Sequence, residues 1–99
     1  MKIITICGSV RFRDEMLEFR DALMPDTWAM LPENMEVDIQ KIDAEVKAKI
    51  DSLHFRKIEL SDEVFVMNVG GYIGHSTAKE IQYARSLGKP VKFLKEVSE

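Results

Sequence analysis

Ile3-Ile4-Thr5-Ile6 is a continuous run of β-branched residues closed by Gly8-Ser9, the pattern of a strand buried on both faces of a parallel sheet. Phe12, Met16, Phe19 and Leu23 follow at steps of 4, 3 and 4, which places them on one face of a helix ended by Pro25. Trp28-Ala29-Met30-Leu31 is a weaker strand, stopped by Pro32-Glu33-Asn34. Ile39, Ile42, Val46, Ile50 and Leu53 then advance by 3, 4, 4 and 3 with charged residues between them, which predicts a long amphipathic helix with a bend near Ser52. Val64-Phe65-Val66-Met67 is a further strand, followed by the glycine-rich segment 70–74 and a helix carrying Ile81, Ala84 and Leu87. Gly88-Lys89-Pro90 stops that helix, and Val91-Lys92-Phe93-Leu94 supplies the last strand.

Strands alternating with helices imply right-handed βαβ crossovers and a short parallel sheet of four or five strands with helices on both faces. The expected fold is thus an α/β three-layer sandwich, and 99 residues leave room for one domain, 1–99. No apolar stretch approaches the roughly 20 residues of a membrane span, and Met1-Lys2 runs straight into a strand rather than a secretory signal. The single cysteine, Cys7, has no disulfide partner and no zinc-type spacing around it, so a cytoplasmic setting without a metal is expected. Net charge is -3 with no basic tract, which disfavours polymeric nucleic acid as a partner but leaves a small phosphorylated molecule open.

Sheets of this kind bind ligands beyond the carboxyl ends of their strands, where two loops fall. In the first, Gly8 permits close approach of a ligand, Ser9 offers a hydroxyl, and Arg11 sets a positive charge beside a helix N-terminus, a combination suited to a phosphate. A capped strand-to-helix turn with a surface arginine accounts for the same residues. The second loop, with Gly70, Gly71, Tyr72, Gly74, His75 and Ser76, offers backbone amides and an aromatic face for a ring. Thr77-Ala78-Lys79-Glu80 matches a capping box, so Glu80 reads either as a cap or as a carboxylate kept ionised by the helix dipole. His54, beside an apolar stripe, reads as structural, the charges from Lys41 to Asp51 as a solvated helix face, and the six methionines as core filler.

Two segments together resemble the nucleoside 2-deoxyribosyltransferase family, which includes the nucleoside 5'-monophosphate N-glycosidases. The first is Ile6-Cys7-Gly8-Ser9-Val10-Arg11; the second runs from Ser61-Asp62 through Val64-Phe65-Val66 to Glu80-Ile81-Gln82-Tyr83-Ala84 and Gly88-Lys89-Pro90. The resemblance implies a flavodoxin-like sheet, a homodimer or higher homo-oligomer, no cofactor, and a small nucleoside or nucleotide as substrate; a domain this small also buries only a modest core, and Trp28 and the methionines near it are the candidates for a subunit contact. It makes Glu80 the nucleophile that displaces the base and forms a glycosyl-enzyme, for water or a second base to resolve. It also makes Gly8, Ser9 and Arg11 the phosphate contacts, with Ser76 near another, and Gly71, Tyr72 and Gly74 part of the substrate loop. His54 stands where such enzymes carry an acidic residue that assists the leaving base, and a histidine can serve as general acid at neutral pH. Retention of Glu80 favours a glycosidase or transferase. The histidine favours a second reading, a non-catalytic module of the same fold that binds a nucleotide or an ADP-ribose-like ligand.

Overall fold

The computed structural model describes residues 1–33 and 42–96. Four parallel strands, β1 (Lys2–Cys7), β2 (Thr27–Met30), β3 (Glu63–Val66) and β4 (Val91–Phe93), form one sheet in the order β2-β1-β3-β4. Three helices connect them among the described residues: α1 (Arg13–Leu23), α2 (Ala44–Leu60) and α3 (His75–Ser86). This is the expected flavodoxin-like α/β sandwich. The chain leaves β1 toward β2 and leaves β3 toward β4, in opposite directions across the sheet. The loops after β1 and β3 therefore part and open a crevice between them.

Side-chain alternation along β1 builds two cores. Ile6 points to one face and packs with Phe12, Met16, Ala29 and Met67, joined by Phe19 and Leu23, so the predicted apolar face of the first helix is the face α1 buries. Cys7 points to the other face with Ile58, Val64, Val66, Ile81 and Ala84, beneath α2 and α3. Thr5, also on that face, donates from its hydroxyl to the carbonyl of Lys57 at 3.1 Å. The only buried carboxylate in the sheet, that of Glu63, is flanked by the ammonium groups of Lys2 and Lys92 from the two neighbouring strands, which offsets its desolvation.

Several local expectations change. Ile39 and Lys41 lie outside the described residues. Within them α2 starts at the Asp43 cap, whose side chain accepts from Val46 N at 2.8 Å, and runs unbroken past Ser52. Leu53, placed by periodicity on the apolar stripe, is exposed, while His54 and Ile58 are the residues α2 buries. The sheet face under α2 presents the small side chains of Thr5 and Cys7, so the residue that reaches them is the imidazole. Leu87 is likewise exposed, just beyond the end of α3. The methionines divide: Met16 and Met67 fill the core, whereas Met1 and Met24 are exposed beside Trp28 at the β2 edge.

Two contacts fix the loops that bound the crevice. Gly8 packs so closely against β3's exit that a Cβ there would lie 3.1 Å from the Met67 carbonyl oxygen and 3.3 Å from its Cβ. Asn68, fully buried just after β3, donates to the Lys95 carbonyl at 2.8 Å and accepts from the Lys95 amide at 2.9 Å. Gly8→Ala should therefore force the two loops apart, with a loss of about 1 to 3 kcal/mol as for other overpacked sites. Chemical denaturation of the variant at unchanged slope checks this.

Candidate active site

The glycine loop sets the start of α3. Gly70 and Gly71 take positive φ values of 65° and 86°, a conformation that disfavours side chains, and turn the chain back over the sheet edge. The helix then begins at the Gly74 cap, so Ala78 N donates to Gly74 O at 2.9 Å. Thr77 is buried within the first turn rather than at the cap, and Glu80 lies a turn beyond the position a capping box requires. The capping explanation of Glu80 is thereby removed. What remains is a carboxyl group turned toward the carboxyl end of β1.

Three side chains from three elements meet there. Cys7 ends β1, His54 comes from α2 and Glu80 from α3. Cys7 Sγ lies 3.2 Å from His54 Nε2, which lies 3.5 Å from Glu80 Oε1. Cys7 and His54 are buried, and only the Glu80 side chain, 13% exposed, reaches the cleft surface appreciably. Among the described residues His54 Nδ1 has no hydrogen-bond partner.

Burial governs the protonation of all three. Desolvation raises the Glu80 carboxyl to about 7; the Asp51 charge pushes the same way, and the Cys7 hydrogen bond and the Lys47 ammonium oppose it. Glu80 is therefore about half protonated at neutral pH rather than held ionised by the helix dipole, since a buried carboxyl a turn into the helix gains less from the dipole than it loses in hydration. Desolvation, assisted by the Lys57 ammonium, lowers His54 to about 4. The imidazole is thus neutral at working pH, and its contact with Glu80 is not an ion pair. Burial and the neighbouring Glu80 hold the Cys7 thiol well above its ordinary range, so it stays protonated.

Around this cluster is a cleft of about 270 Å³ whose lining brings together Gly8, Ser9, Tyr72, Gly74, Ser76, His54 and Glu80. Two expected residues stand outside the lining. Arg11 lies with its guanidinium 4.0 Å over the Tyr72 ring, and Gly71 serves the turn before Tyr72. Ser9 spends its hydroxyl on a short cap, accepting from Arg11 N at 3.3 Å. The cleft also holds residues that periodicity assigned to solvent: Lys47 and Asp51 line it on the same side of α2 as His54, and Lys47 Nζ reaches Asp51 at 3.1 Å and Ser76 Oγ at 3.4 Å. Their spacing from His54, at 7 and 3 residues, was the available signal.

The opposed shifts make a test of stability against pH. His54, depressed in the folded protein, binds its proton more readily when unfolded and so costs stability as pH falls from 6.5 toward 4. Glu80, raised in the folded protein, ionises more readily when unfolded and so costs stability as pH climbs from 4.5 to 7. The two contributions nearly cancel between 4.5 and 6.5 in the native chain. Glu80→Gln should become more stable by up to about 3 kcal/mol as pH rises through that window, and His54→Gln should lose a similar amount. Urea melts of both variants at several pH values check the two slopes.

No protein-family model and no curated protein matches the sequence. A solved structure, that of a conserved protein from Enterococcus faecalis V583, is similar in fold, with a TM-score of 0.68 and 24% identity. The similarity covers 94% of this chain and 62% of that one, so the present chain spans less than two thirds of its neighbour's length. At that identity the likeness is one of fold, a parallel α/β sandwich, and says nothing of chemistry.

Proposed function

We propose that this protein cleaves, or exchanges the base of, the N-glycosidic bond of a nucleoside or nucleoside 5'-monophosphate, with Glu80 as the nucleophile. The observation that carries the reading is the placement of Glu80. It is the only side chain of the buried cluster that reaches the cleft appreciably, at the strand ends where this fold binds ligands, facing Gly8, Ser9 and Tyr72. Ionised Glu80 attacks the anomeric carbon as the bond to the base breaks and its electron pair passes to the base nitrogen. Water or a second base then attacks the same carbon and releases the carboxylate, a retaining sequence.

A carboxylate desolvated enough to titrate near 7 is more basic than one in water, which favours attack once the proton has left. His54 contributes as a neutral group that packs beside the nucleophile, not as an imidazolium. Protonation of the leaving base then falls to solvent water. Arg11 is stored on the Tyr72 ring at the mouth, from which a 5'-phosphate can draw it by a charge-assisted contact stronger than an exposed cation–π pair.

One observation favours the non-catalytic alternative, a nucleotide-binding module: a neutral histidine occupies the place of an acid, and the carboxyl is only half ionised at neutral pH. A panel of nucleosides and their monophosphates, with free base followed by chromatography, separates the two. Base release should climb with pH and level off above about 7, and Glu80→Gln should lower it by several orders of magnitude, on the order of 10³-fold or more for loss of a covalent nucleophile. Full activity in Glu80→Gln would overturn the covalent mechanism. Tight binding without base release across the panel would instead establish the module.

Phosphate recognition is tested separately by calorimetry. Arg11→Ala should weaken monophosphate binding by about 1.5 to 3 kcal/mol, the range for a hydrogen bond to a charged group, and leave nucleoside binding nearly unchanged. Equal losses for both ligands would remove Arg11 from the phosphate site.

A further inference from the structure

We propose that Cys7, His54 and Glu80 form a binding site for a zinc-class divalent ion, and that such an ion inhibits the protein by occupying Glu80. The inhibitory half of this inference rests on the catalytic reading of Glu80; the site itself does not.

The three ligand atoms, one each from thiol, imidazole and carboxyl, lie within 4.8 Å of one another. Around a tetrahedral zinc, with bonds of the usual lengths, sulfur and nitrogen stand about 3.5 Å apart and nitrogen and oxygen about 3.3 Å apart. The observed separations are 3.2 and 3.5 Å. The third edge, from sulfur to carboxylate oxygen, lies within the same 4.8 Å. The donors project from a strand end and two packed helices, so the set is held in place before any ion arrives.

Chemistry points to the same class of ion. A thiolate, a neutral imidazole and a carboxylate suit a borderline-soft dication rather than magnesium or calcium, which take oxygen donors. The combined charge of thiolate and carboxylate balances a dication, so binding places no net charge in the buried site. On binding, the thiol proton and, where the carboxyl carries one, the Glu80 proton pass to solvent, while a neutral imidazole releases none. Three protein ligands leave a fourth tetrahedral position for water, and two of the three, His54 and Glu80, line the cleft.

The outer shell limits the affinity. With the ion on Nε2 the His54 proton sits on Nδ1, which has no acceptor among the described residues. Loss of such a partner commonly weakens metal sites by about 10- to 100-fold, which suits a reversible, inhibitory ion rather than a structural one.

The test uses the full chain freed of metal by chelation and titrated with cobalt(II), then with zinc. One equivalent of cobalt should bind and give a near-ultraviolet thiolate-to-cobalt band, and zinc should bleach it. Cys7→Ser should abolish the band and weaken zinc binding by more than about 100-fold, beyond the loss typical of an outer-shell partner. His54→Gln, which leaves the thiol in place, should weaken cobalt to a similar degree and guards against misfolding of either variant alone. No saturable binding at millimolar ion, or a band and zinc affinity unchanged in both variants, would overturn the site. Zinc that binds by these criteria yet leaves base release unaltered would overturn the inhibition. Absence of base release in the metal-free protein counts against the glycosidase reading and leaves the spectroscopic result standing.

Discussion

A strand buried on both faces leaves no side chain free of consequence, and β1 is such a strand. Its alternate residues commit Ile6 to the core under α1 and Thr5 and Cys7 to the core under α2 and α3. A slip of one residue would exchange the two sets. It would place a thiol against Phe12 and Met16 and an isoleucine where His54 and Glu80 now meet. The same parity that closes the hydrophobic core therefore delivers a sulfur atom to the buried contact with His54 behind Glu80, and site and core are one construction.

Dehydration is the second governing effect. Loss of water pushes each member of the cluster toward its uncharged form, the carboxyl and thiol upward and the imidazole downward, leaving the carboxyl near its midpoint at neutral pH. No neighbouring charge is strong enough to reverse any of the three. Such a cluster is poised: a nearby cation or a modest change in pH alters the charge it carries. Perturbed protonation of this kind, in a cleft at strand ends, is a physical mark of a functional site.

Much of the architecture was legible in the sequence because strands and α1 follow local periodicity, and the apolar residues of Ile3–Ile6 and Phe12–Leu23 could point nowhere else. The face of α2 was not legible. Leu53 and His54 are neighbours on the helix surface, and only the shallow relief of Thr5 and Cys7 on the sheet decides which turns inward. The capping box expected at Thr77 and Glu80 does not form, because the two left-handed glycines bring the helix start back to Gly74 and leave the Glu80 carboxyl on the cleft. The contact of Cys7 with His54 spans 47 positions of sequence, and no spacing rule announces a meeting that only the sheet and two crossovers arrange.

Asn68 carries a mechanical consequence. Its carboxamide both gives to and takes from the backbone of Lys95, in the manner of one further rung on the ladder between β3 and β4. That rung joins the loop bearing Tyr72 to the stretch that follows the last strand, two pieces of chain that otherwise share little. Neither can lift without breaking the same pair of partly buried bonds. The wall of the cleft and the edge of the sheet are consequently tied together, and the stiffness of that wall depends on one amide side chain that does not itself line the cleft.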